Sequence, residues 1–104
     1  MLSKKERVSR LTFQKRPVRT GRFIYGSIKG FEGDPAGAVV VSKKVCRTAP
    51  ARNKLRRRIY NILRPLIRTK ALQGNVIVYP NALAMKAPFQ ELKKELEKRL
   101  GVSV

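Results

Sequence analysis

The sequence predicts an α+β fold: a small mixed β-sheet with packed helices. Two observations carry this. Segments with strand-like patterning precede a long stretch whose apolar residues repeat with helical spacing, and a short apolar run then leads into a second amphipathic stretch. Length is the third: 104 residues suffice for one small core and are too few for two, so residues 1–104 are read as a single domain.

Residues 1–21 form a basic N-terminal segment with scattered Leu11, Phe13 and Val18. A short helical turn fits over about Ser9 to Lys15, and Pro17 would stop it. From Arg22, "RFIYGSIK" alternates. Read as one strand, it sends Phe23, Tyr25, Ser27 and Lys29 to one side and Ile24 and Ile28 to the other, with the aliphatic side toward the core. "GFEGDPAG" supplies reversal residues and "AVVVS" a β-branched second strand, so a hairpin is expected between the two.

Thr48 is placed to cap a helix beginning near Ala49, with Pro50 in its first turn. Leu55, Ile59, Ile62, Leu63, Leu66 and Ile67 then define one buried stripe. Arg52 and Arg56 are read as bordering it on one side and Lys54 and Arg58 on the other, while Asn53, Arg57 and Arg64 point away. Pro65 predicts a kink or break, with one further turn to about Thr69. Gly74 releases the chain into the strand "NVIVY", ended by Pro80. The last helix starts near Pro88 with an apolar stripe of Phe89, Leu92, Leu96 and Leu100, and Gly101 stops it. Glu91 in its first turn and Lys98 and Arg99 in its last match the helix dipole.

Charge narrows function. The chain holds 25 Lys and Arg against 6 Asp and Glu, a formal charge of +19, which repels itself unless a polyanion neutralises it. Nothing acidic lies between Pro35 and Gln90, so the middle of the chain is purely cationic. The periodic apolar runs distinguish this from a disordered basic tail. Cys46 is the single cysteine and no signal-peptide pattern opens the chain, so neither an internal disulfide nor secretion is expected, and the chain is assigned to the cytoplasm. Its apolar runs fall far short of the ~20 residues that span a bilayer.

Catalytic chemistry is scarce. There is no histidine, which removes the commonest general base and zinc ligand, and one cysteine makes no thiolate metal site. Glu32 and Asp34 fall in a turn and Glu91, Glu95 and Glu97 on a solvent-facing helix side, not gathered as two-metal hydrolysis would need. No catalytic residue and no protein metal site are therefore predicted. Gly30, Gly33 and Gly37 lack the spacing of a phosphate loop.

The densest signal is "KKVCRTAPARNKLRRR", residues 43–58, which contains no carboxylate. A solvated helix face normally mixes signs and gains from Glu–Lys pairs four apart. This one has none. Arginines four apart can grip successive phosphates through paired N–H groups, and Asn53 adds a donor and an acceptor for a sugar or base edge. Lys43, Lys44, Arg47, Arg52, Asn53, Lys54, Arg56, Arg57 and Arg58 are accordingly the candidate RNA-binding set. Phe23 and Tyr25, with Phe13, have two readings: a platform on which unpaired bases stack, or packing beneath the N-terminal segment. Cys46 is read as a small residue at a strand-to-helix junction.

"VSKKV" followed shortly by "RNKLRRR" resembles the signature of the protein subunit of bacterial ribonuclease P, and "NVIVYP" and "PFQELKKELEKRL" are similar to its third strand and closing helix. The resemblance covers about Ala38 to Leu100. Lys54 stands where the signature carries Arg, and "CRTAPA" lacks a common Gly-Asn. The resemblance implies a ribosomal protein S5 domain 2-like sandwich with a left-handed β-α-β crossover, and a further strand near residues 80–87. It implies that Arg52, Asn53, Lys54, Arg56, Arg57 and Arg58 contact the catalytic RNA. A leader-binding cleft on the adjoining sheet face would take the single-stranded 5′ leader of precursor tRNA, with Phe13, Phe23 or Tyr25 and Lys43 as candidates. Hydrolysis would belong to the RNA and its Mg²⁺, bound mainly by RNA. The partners implied are ribonuclease P RNA and precursor tRNA, with no stable protein partner and no membrane. The rival reading is a ribosomal or ribosome-assembly RNA-binding protein. Peripheral membrane attachment is weaker, because the Leu55–Ile67 stripe is better explained as core.

Overall fold

The computed structural model describes Val8, residues 16–72 and residues 74–101; the turn expected over Ser9 to Lys15 lies outside the described residues. Among the described residues four strands form one sheet: β1 (Arg19–Phe23), β2 (Gly26–Phe31), β3 (Ala36–Val39) and β4 (Asn75–Pro80). Helix α1 (Ala49–Arg68) joins β3 to β4, and a 3₁₀ turn (Ala82–Met85) leads into α2 (Phe89–Leu100). The spatial order is β1-β2-β4-β3. Only β3 and β4 run parallel, so β3, α1 and β4 make a β-α-β crossover inside an otherwise antiparallel sheet. The predicted α+β class with a mixed sheet and packed helices is the one observed.

β4 sits centrally. It pairs with β2 along one edge and β3 along the other, and Val76, Ile77 and Val78 are all fully buried, so the strand is covered on both faces. This displaces the hairpin expected between the first two strands, since β2 and β3 each pair with β4 and not with each other.

The alternation over residues 22–29 does not make one strand. A two-residue turn, Ile24 and Tyr25, divides it, with Phe23 opposite Gly26. Gly26 has φ +149°, and a Cβ there would lie 2.2 Å from the Tyr79 carbonyl oxygen, so only glycine lets β2 start against β4. The turn also resets which side faces inward. Ile24, expected in the core, is 54% exposed, whereas Tyr25 is buried. The split supplies the strand that the expected count lacked, and residues 82–85 are 3₁₀ rather than strand.

Register fixes the two faces. Gly21, Ile28, Val78 and Val39 align across the sheet, as do Thr20, Lys29, Ile77 and Ala38. Ile28, Val39, Val76 and Val78 join the stripe of α1 and Leu92, Leu96 and Leu100 of α2 in one cluster. Both helices therefore cover one face. By strand alternation Ile77 and Tyr79 occupy the opposite face, with Lys29, Ser27 and Arg22.

All six predicted stripe residues of α1 are buried. Each contributes about 1.5–3 kcal/mol relative to exposure. Pro65 does not break α1, which continues to Arg68. Pro65 and Asn61, whose carbonyl it leaves without an amide partner, are both exposed. Thr48 occupies the N-cap, but its side chain makes no capping bond. In α2 the dipole pattern and the left-handed Gly101 stop are as expected.

Asn81 ties the sheet's end together. Its amide donates to the Ile24 carbonyl at 3.0 Å and its Oδ1 accepts from Leu83 N at 3.0 Å, while its backbone N donates to the Tyr25 carbonyl at 2.8 Å. Asn81→Ala should lower stability by about 1–2 kcal/mol, read as a shifted urea midpoint with an unchanged slope.

Candidate nucleic-acid interface

The basic run begins in a tight turn, where the Ser42 carbonyl accepts from Val45 N at 3.1 Å and Cys46 N at 3.2 Å. That turn leaves Lys43, Lys44 and Arg47 exposed just before α1. The first turn of α1 contains no acid, so its unpaired amides and positive dipole end add to the cationic field.

Within α1 the arginines divide into two kinds. Arg52 turns back along the helix start, its Nη1 donating to the Cys46 carbonyl at 3.1 Å and the Arg47 carbonyl at 3.0 Å. Arg58 donates to the Ala84 carbonyl at 3.4 Å and to that of Ala87, fixing the segment that carries the 3₁₀ turn. Both brace the backbone, and both are half-buried. Lys54 and Arg57 are exposed, and Arg56 is half-exposed with a hydrogen bond to Asn53 Oδ1. Asn53, Arg56, Arg57 and Tyr60 line a cleft of about 210 Å³, and Tyr60 Oη accepts from Val39 N at 3.3 Å, which ties α1 to β3. Arg64, read as pointing away, is half-buried, and its Nε is buried without a hydrogen-bond partner.

The expected aromatic platform is not assembled as read. Tyr25 is 6% exposed and its hydroxyl bonds Glu91. Phe23 packs on the same side, its ring 6.4 Å from that of Tyr25 in an edge-to-face arrangement. Both lie on the helix-covered side, because the Ile24–Tyr25 turn reset the phase. Phe13 lies outside the described residues. The face opposite the helices instead offers half-buried Tyr79, with Lys29 Nζ 5.2 Å from its ring centroid, a cation–π contact. Burial raises the Tyr79 phenol above its ordinary pKa. Neither residue is in the predicted set. The continuous apolar run "NVIVY" hides that its alternate positions face opposite sides once the strand is central.

Among the described residues no three His, Cys, Asp or Glu side chains come together in a way that could hold a metal ion. No helix among them is long and apolar enough to cross a membrane.

Arg58→Ala should cost about 1–3 kcal/mol in denaturant unfolding, since it leaves the Ala84 and Ala87 carbonyls without a charged donor. The Glu91 hydrogen bond, with burial and the nearby Glu95 charge, raises the Tyr25 pKa. Above about pH 10 the unfolded tyrosine sheds its proton while the folded one keeps it, so stability falls as pH rises through that window. Tyr25→Phe should lose less stability there than wild type in paired unfolding curves.

A family model described as Ribonuclease P matches residues 1–102. Among solved structures, a Staphylococcus aureus RNase P protein mutant with defective mRNA degradation activity superposes with a TM-score of 0.79 at 18% identity, covering 94% of this chain and 87% of that one. The S. aureus RNase P protein gives 0.75 at 19% identity, over 92% and 93% of the two chains. The RNase P protein from Thermotoga maritima gives 0.73 at 23% identity, over 91% and 94%. At these identities the superpositions speak for the fold.

Proposed function

The chain belongs to the ribonuclease P family and is a subunit of that tRNA-processing ribonucleoprotein, and from this premise we propose how its surface is used. Family membership entails association with ribonuclease P RNA. Our reading is that the RNA docks on the exposed cations at the head of α1: Lys43, Lys44, Arg47, Lys54 and Arg57, with Arg56 and Asn53 beside them. Arg52 and Arg58 serve this surface from within by bracing its backbone.

The precursor tRNA leader, in this proposal, runs over the part of the sheet face opposite the helices where Lys29 and Tyr79 offer a charge and a ring for an unpaired strand. Phosphodiester hydrolysis is assigned to the RNA subunit and to Mg²⁺ held mainly by RNA, which supplies charge stabilisation at the scissile phosphate. The protein's part is to reduce repulsion between two RNAs and hold the leader in place. A cytoplasmic setting fits that role. The carrying observation is the concentration of exposed Lys and Arg between residues 43 and 57 with no carboxylate among them.

Adding the purified chain to a bacterial ribonuclease P RNA at low Mg²⁺ should stimulate precursor cleavage. Intact RNA binding without stimulation would overturn the proposed role of this surface in cleavage. Lys54→Ala with Arg57→Ala should reduce the salt slope of RNA binding by about 1.5 to 2 units, with stability unchanged. Tyr79→Ala should cut discrimination between precursor and mature tRNA by about 1–3 kcal/mol; equal losses for both would remove the Lys29–Tyr79 surface from leader binding.

A further inference from the structure

A second cleft, of about 330 Å³, lies at the opposite end of the sheet, lined by Phe23, Ile24, Glu95, Lys98 and Arg99. Its size falls at the lower end of the roughly 300–1,000 Å³ typical of small-ligand sites. It opens on the helix-covered side of β1, whose outer edge has no strand neighbour among the described residues, whereas α1 packs against β3 at the other edge. Three strand spacings of about 4.8 Å separate the two edges. The cleft therefore belongs neither to the basic head of α1 nor to the Lys29–Tyr79 face of the sheet.

Packing contacts fix its walls. The Phe23 ring stands edge-to-face on Tyr25, which is buried and bonded to Glu91. Arg99 lies across Gly21, where a Cβ would stand 3.0 Å from Arg99 Cδ and 3.6 Å from its Nε. Glu95 and Arg99 are four apart on α2 in the orientation that favours an ion pair. Among the described residues no such pair forms, and Lys98 takes no carboxylate partner either. The cleft thus presents an apolar wall, one acceptor-only carboxylate and two uncommitted cations. Ile24, 54% exposed at its mouth, is an apolar side chain left in solvent.

We propose that this β1–α2 cleft binds a single unpaired guanosine nucleotide of an RNA partner. Phe23 and Ile24 would take the base plane, and Arg99 and Lys98 the phosphate. Glu95 would accept from the guanine edge, whose adjacent N1–H and N2–H donors match two carboxylate oxygens. Adenine, cytosine and uracil lack that donor pair. The chemistry is the same whether the nucleotide comes from the ribonuclease P RNA or from a precursor transcript.

The test is an NMR titration of the full chain with GMP, AMP, CMP and UMP. GMP should shift the amides of Gly21, Phe23, Ile24 and Arg99 and bind roughly tenfold more tightly than the others. Glu95→Gln, at a half-buried position of α2, should abolish the preference while amide shifts away from the cleft stay in place, and Lys98→Ala with Arg99→Ala should weaken all four nucleotides alike. Equal response to every nucleotide, shifts confined to Lys29 and Tyr79, or equally effective displacement by polyglutamate would each overturn the proposal. Chemical footprints of wild type and Glu95→Gln on the ribonuclease P RNA, with and without precursor, locate the nucleotide. A guanosine whose protection depends on Glu95 in either RNA supports the site, and none in both refutes it. Stimulation of cleavage by the α1 surface survives that refutation, so the two readings fail separately.

Discussion

The dual burden on helix α1 governs the rest of the structure. It must bury an aliphatic stripe against the sheet while carrying cations around most of its remaining circumference, so its packing has to outweigh the repulsion among its own side chains. The stripe from Leu55 to Ile67 is almost wholly inaccessible to water, and hydrophobic burial is indifferent to the sign of the charge outside. The sheet is arranged to receive that stripe. Val76 and Val78 meet it from the centre and Val39 from the edge, while Tyr60 anchors the helix flank to β3 by hydrogen bonding to its backbone.

The same burden explains why the arginines do not all behave alike. A guanidinium at the rim of the stripe is partly desolvated and needs acceptors. With no acid between Pro35 and Gln90, the acceptors at hand are backbone carbonyls. Arg52 and Arg58 take them and thereby order the two segments flanking the head of α1. Lys54 and Arg57, further round the helix, have no such call on them and stay in solvent. A cation-rich surface here rests on two cations that have been drawn into the scaffold.

Much of this was legible from the residues. The α1 stripe, the left-handed stop at Gly101 and the charge order of α2 depend on local spacing, and local spacing survives folding. The basic head of α1 was equally plain, because an uninterrupted run of one sign has few alternative uses. What sequence spacing misread were relations between distant segments. Strand alternation could not show that the chain reverses at Ile24–Tyr25, because the need for glycine at 26 comes from the Tyr79 carbonyl, more than fifty residues away. With that reversal missed, Tyr25 and Ile24 exchanged places and the aromatics were assigned to the wrong side. Tyr79 went unnoticed for a related reason, since the two faces of a central strand look identical until its neighbours are known. Arg52 and Arg58 looked like their exposed neighbours, because their acceptors belong to the backbone.

The central position of β4 also sets an order of events for the chain as it is made. β1 and β2 can pair locally as soon as both exist, but β2 and β3 share no ladder and are held side by side only through β4. Residues 75–80 are therefore needed before either flank of the sheet is complete, and they follow the whole of α1 in the chain. Contacts of such long sequence separation form late and slowly. A nascent chain consequently displays its most cationic helix before the surface that must cover that helix's apolar stripe is complete.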